Sequence, residues 1–136
     1  MIDRRSLVAA TVGASVAGAA GSEAAAQARG EFRAPFIHNV YFWLKPGGGA
    51  AERDKIIEGL RKLTVINDVI NWHIGVPAGT DRGVVDNSYA VYWMLVFADK
   101  AAQDRYQVDP IHEKFVADYS RYWDKVTVYD TLPAKS

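Results

Sequence analysis

Three histidines, His38, His73 and His112, are the only side chains of this sequence that ordinarily change charge near neutral pH, and there is no cysteine. Covalent catalysis has little to work with, since no thiol is present and no Gly-x-Ser-x-Gly turn presents a serine. Gly47-Gly48-Gly49 is not followed by the Lys-Ser/Thr of a phosphate loop and reads as a turn. The histidines show no His-x-x-x-His or other local ligand spacing, so no metal or other cofactor is expected. Acid–base chemistry or polar recognition remains, and His112 and Tyr106 are the candidates for it. In Asp109-Pro110-Ile111-His112 the aspartate reads as a helix cap and the proline as the first helical residue. The positive end of a helix disfavours imidazolium, so the His112 ring is expected to be neutral, able to accept a proton or to orient a polar ligand group. Tyr106, ending the preceding helix, offers a phenol that can hold a carbonyl or an enolate. Each has a plainer reading: His112 as a structural ring bonded back to the chain at the Asp-Pro junction, and Tyr106 as a core aromatic with its hydroxyl satisfied.

The elements that must position these groups follow from the hydrophobic pattern. Phe36 to Leu44 reads as a strand with Phe36, His38, Val40, Phe42 and Leu44 on one face and Ile37, Asn39, Tyr41 and Trp43 on the other. Residues 50–64 read as a helix, with Ile56, Ile57, Leu60 and Leu63 on one stripe. Val69–Val76 and Tyr89–Phe97 read as strands around a Gly, Asp, Asn and Ser loop over 77–88. Asp99 caps a short helix through Tyr106. The helix restarted at Asp109 puts His112, Phe115, Val116, Tyr119 and Trp123 on one stripe, and Val126–Leu132 is the last strand. The order is β-α-β-β-α-β, an α+β, ferredoxin-like unit with helices on one face of a sheet. The strands are apolar on both faces, so the uncovered face calls for a partner, most simply a second copy of the chain.

Composition and the first residues set the context. The chain has 136 residues with 16 basic and 16 acidic side chains. The length argues for one domain, and the balanced charge gives no electrostatic reason to expect nucleic acid or an anionic membrane as partner. Met1-Ile2-Asp3-Arg4-Arg5 precedes the small and apolar run Val8–Ala20, and Ala26-Gln27-Ala28 forms an A-x-A site. Residues 1–28 therefore read as a cleavable signal peptide, and Arg4-Arg5 gives it twin-arginine character. The mature protein is expected to be periplasmic or secreted and free of the membrane, with 29–35 a short lead and 36–132 the folded domain.

Several of these residues together resemble a known family. Ile37-His38-Asn39-Val40, Gly75, the strand Tyr89–Phe97 leading into Asp104, the Tyr-x-x-x-Pro-x-His spacing of Tyr106 to His112, and the closing Tyr122-Trp123-Asp124 and Val128-Tyr129-Asp130 are similar to the stress-responsive dimeric α/β-barrel (Dabb) family. The resemblance implies a homodimer in which two sheets pack face to face and close a dimeric α/β barrel. It also implies a small apolar pocket between the sheet and the helices of each subunit. In that layout His38 faces the helices and joins His112 and Tyr106, with Val40, Phe42, Trp72, Val91, Trp93 and Trp123 around the same pocket. His73, Tyr41, Trp43 and Asn39 face the partner. Two functions are compatible with this. One is an exported stress-related module binding a small apolar or aromatic ligand. The other is a cofactor-free enzyme, a polyketide-cyclase-like lyase or a small monooxygenase, using His112 and Tyr106 on an aromatic or polyketide-like substrate. In a plant polyketide cyclase of this layout a second catalytic histidine falls at the position of Val91, which cannot accept a proton.

Overall fold

The first strand alternates. In β1, Phe36–Leu44, the side chains of Phe36, His38, Val40 and Phe42 are buried while Ile37, Asn39, Tyr41 and Trp43 are not, the period of a sheet with helices on one face only. The computed structural model describes residues 29–135, and the elements below belong to the compact unit Arg33–Ser136. The expected signal peptide, residues 1–28, lies outside the described residues. After β1 come α1 (Ala50–Leu63), β2 (Asn71–Gly75), β3 (Val91–Phe97), α2 (Lys100–Gln107), α3 (Pro110–Tyr119), a 3-10 turn (Ser120–Tyr122) and β4 (Trp123–Thr131).

The strands form one antiparallel sheet in the order β2-β3-β1-β4, the ferredoxin-like arrangement. The expected barrel is not formed. The sheet has four strands and two free edges, β2 and β4, which lie at opposite sides and do not pair. Closing a sheet on itself around packed side chains takes about eight strands, so a four-stranded sheet twists and stays open.

Helix ends are set by the predicted residues. Asp99 accepts the Ala102 amide (2.9 Å) and Asp109 that of Ile111 (2.8 Å), with Pro110 in the first helical turn. Glu52 reaches back to the Gly49 amide (2.9 Å) and holds the start of α1. The core sits between helices and sheet: Ile56, Leu60 and Leu63 of α1 meet Val91, Trp93, Leu95 and Phe97 of β3 and Phe115 and Tyr119 of α3. Helices α1 and α3 pack closely at Gly59, where an added Cβ would lie 2.7 Å from Tyr119 ring atoms and 2.9 Å from Phe115.

Boundaries differ from the expectation by a residue at several ends, and by more at three places. The second strand is shorter, Asn71–Gly75, and the third begins at Val91 rather than Tyr89. Trp123 does not belong to the α3 stripe. The helix ends at Tyr119, and Trp123 opens β4 opposite Leu44, at an irregularity in the β1 register. Its ring still packs on Phe42 (5.0 Å) and Phe115 (5.5 Å between centroids).

The sheet face away from the helices is aromatic. Tyr41 lies at its centre, with the rings of Tyr92, Tyr89 and Tyr129 at 4.9, 5.1 and 6.2 Å. His73 packs on Tyr92, Lys125 lies over Trp43, and the Trp43 indole donates to Ser88 (2.9 Å). Among the described residues no helix is long and apolar enough to cross a membrane.

Candidate functional site

A cavity of about 140 Å³ lies between the helices and the sheet. β1 lends it His38, Val40 and Phe42, and β3 lends Trp93. Tyr106 and Gln107 come from the end of α2, and His112, Phe115 and Val116 from α3. Leu63 of α1 and Trp123, Val126 and Val128 of β4 complete the wall. Val116, Val126 and Val128 are each about two-fifths exposed, which puts the mouth between α3 and the edge strand β4.

The polar groups converge at one end. The Tyr106 ring is 4.7 Å from that of His112 and 6.2 Å from that of His38. Alternation along β1 puts His38 on the helix side, and the kink at Asp109-Pro110 turns α3 so that His112 faces back over Tyr106.

Hydrogen bonding gives each group a definite role. His38 Nδ1 lies 2.5 Å from Asp130 Oδ1 of β4, directly across the antiparallel register. An ionised carboxylate can only accept, which assigns the shared proton to Nδ1 and makes Nε2 the acceptor nitrogen whenever the ring is neutral. Burial lowers the His112 pKa from its ordinary 6.5, and the neighbouring His38 lowers it further, against weaker upward pulls from the Gln107 backbone and from Asp109 and Glu113. The ring is therefore neutral at pH 7. Tyr106 is buried, and burial pushes its phenol far above the ordinary 10, so it stays protonated. The Trp93 indole donates to the Tyr106 oxygen (3.2 Å).

Not every side chain expected here lines the cavity. Val91 is fully buried on the helix side of the sheet, but the cavity does not reach it. Trp72 sits on the edge strand β2, 43 % exposed, and packs at a tilt against Trp93 (6.1 Å between centroids) rather than lining the cavity. Asp130, Gln107, Val126 and Val128 were not among the expected site residues. Asp130 stands in the closing Val128-Tyr129-Asp130, but its place opposite His38 depends on strand register. Among the described residues no group of three or more His, Asp or Glu side chains is placed to hold a metal ion.

A family model described as the stress responsive A/B barrel domain, Dabb, matches residues 36–132. Among solved structures, a protein of Arabidopsis thaliana is 23 % identical, with 75 % of this chain and 98 % of that chain covered at a TM-score of 0.64. A Dabb family protein with a ferredoxin-like fold from Mesorhizobium loti is 25 % identical, covering 74 % and 97 % at a TM-score of 0.60. A dimeric ferredoxin-like protein of unknown function from Thermobifida fusca is 16 % identical, covering 75 % and 93 % at 0.59. No curated protein matches the sequence.

Proposed function

The chain belongs to the stress-responsive A/B barrel (Dabb) family, and from that premise we propose that it binds one small planar ligand, carrying a weakly acidic hydroxyl or a carbonyl, between its helices and its sheet. The observation that carries this reading is the convergence of His38, Tyr106 and His112 on one end of an otherwise apolar cavity. An apolar cavity of about 150 Å³ takes up a benzene-sized molecule, so 140 Å³ suits a single ring. The ring fills the apolar end and its oxygen meets the polar one, the division of labour usual in small-molecule sites. Phenol is the simplest probe. Its titration should shift the His38 and His112 ring resonances together, saturably. No shift at millimolar phenol would refute the reading.

A second reading, cofactor-free acid–base catalysis on an aromatic or polyketide-like substrate, draws support from the Asp130–His38 pair. That pair fixes the tautomer that leaves Nε2 free to take a proton, and the Tyr106 O–H could then stabilise the enolate oxygen left behind. Turnover lost in both His38→Gln and Tyr106→Phe, with binding retained, would favour it over binding alone.

Assembly and location complete the proposal. A second copy of the chain is the natural cover for the Tyr41 face, since large aromatic patches are uncommon on monomers and the Thermobifida relative is a dimer. Arg4 and Arg5 with the small apolar run behind them support export by the twin-arginine route.

A further inference from the structure

We propose that Trp93 is a positioning and specificity-determining residue of this cavity: it fixes the direction of the Tyr106 hydroxyl proton, so that a ligand is taken through an acceptor oxygen, and it limits the ligand to a single ring. The inference deepens the binding reading above and rests on it.

The first half follows from donor and acceptor arithmetic. An indole N–H donates and never accepts. Trp93 Nε1 lies 3.2 Å from the Tyr106 oxygen, so that oxygen is the acceptor of the pair. A phenol O–H prefers the plane of its ring, which leaves two positions for the hydrogen and a lone pair to share. With the indole N–H aimed at one of them, the hydrogen takes the other. Among the described residues no acceptor for that hydrogen is found, and no buried side-chain oxygen or nitrogen lacks a partner altogether. The hydroxyl thus meets the cavity as a donor. Burial keeps it protonated and the donor permanent. Without the indole, the same hydroxyl could equally turn and accept.

The second half follows from position. Trp93 is fully buried in β3, between Val40 of β1 and Ile74 of β2 in the sheet register. Its indole forms the cavity wall farthest from β4 and its mouth. Behind it stands Trp72, part-exposed at the β2 edge. The Trp93 indole therefore separates the cavity from Trp72 at the opposite edge of the sheet, and a smaller ring at position 93 lengthens the cavity toward Trp72.

The test uses three probes of graded chemistry: phenol, toluene of the same shape without an acceptor oxygen, and 2-naphthol with a second ring. Affinities are measured by calorimetry or chemical-shift titration on the purified protein, its Trp93→Phe variant, and protein carrying β-(3-benzothienyl)alanine at position 93. The last has the shape of tryptophan with sulfur in place of the N–H. The native protein should prefer phenol to toluene and exclude 2-naphthol. The benzothienyl side chain should lower the phenol-to-toluene preference by up to about fivefold, the worth of one neutral hydrogen bond, while 2-naphthol stays excluded. Trp93→Phe should lower the preference similarly and admit 2-naphthol. In a Tyr106→Phe background the benzothienyl replacement should leave the preference unchanged, which a merely structural role for the indole would not produce. A native protein that takes up neither phenol nor toluene overturns the binding reading and this proposal with it. One that binds phenol, while the benzothienyl protein keeps the full preference, overturns this proposal alone.

Discussion

Replacing Asp130 by Asn changes one atom and asks whether the His38 tautomer is held from β4. In the native pair the carboxylate accepts from Nδ1–H, and Nε2 is left as an acceptor. The amide offers an alternative, since its NH₂ can donate to Nδ1 and move the ring proton to Nε2, which turns a base into a donor. A hydrogen bond to a charged group contributes about 1.5–3 kcal/mol and a neutral one about 1 kcal/mol, so the exchange should cost about 0.5–2 kcal/mol. His38 is buried, but the Asp130 side chain is 42 % exposed and partly screened by water, which favours the lower end, about 1 kcal/mol. Two readouts separate the effects. Urea denaturation monitored by tryptophan fluorescence gives the stability change. Long-range proton–nitrogen correlation spectra of the ring report which nitrogen is protonated. The native protein should show the Nδ1–H form and Asp130→Asn a shift toward Nε2–H, with phenol affinity altered accordingly. A native His38 already in the Nε2–H form would refute the assignment, whatever the stability change.

Four further outcomes test other parts of the account. Gly59→Ala should destabilise, because overpacking costs about 1–3 kcal/mol while the helix-propensity gain returns only about 1 kcal/mol; a higher denaturation midpoint would contradict the close approach of α1 and α3. His112→Gln should flatten the acid side of the stability profile. The native ring has a depressed pKa, so its contribution is intact above the ordinary 6.5 and is lost as pH falls toward the folded value; identical slopes for both proteins between pH 7 and pH 5 would remove His112 as the cause. Tyr41→Asp should split or unfold the proposed dimer by burying an unpaired charge, and a native protein that sediments as a monomer at micromolar concentration would dispose of that assembly. Replacing Arg4 and Arg5 together by Lys should block export without affecting the fold, and normal delivery of the Lys-Lys protein would rule out the twin-arginine route.

Local patterns were the legible part of this fold. Alternation in β1, the 3.6-residue stripe of α1, and the Asp99 and Asp109-Pro110 caps depend on neighbouring residues, and the element order follows from them. What needed contacts between distant residues was not legible. His38 and Asp130 are 92 residues apart, and only the β1–β4 register places them opposite each other. Trp72 and Trp93 look equally suited to a core, but one lies on an edge strand and the other beside the centre of the sheet. Trp123 fits the α3 stripe by spacing, yet pairing with Leu44 draws it into β4, so a periodic pattern ran past the real end of the helix. The open sheet belongs to the same class, because closure depends on which strands are neighbours and not on what any strand contains.

The alternation of β1 has a consequence for how such a chain can diverge. Successive residues serve different masters: His38, Val40 and Phe42 face the cavity, while Asn39, Tyr41 and Trp43 belong to the aromatic face. Substitutions can therefore retune ligand preference and surface aromaticity almost independently, since each residue touches only one side. Length is another matter. Deleting a single residue from the strand would turn every residue on one side of the deletion to the opposite face, so that part of the cavity set and part of the aromatic set change places. Descendants of this sequence are free to rewrite the letters of β1 but not to change its count.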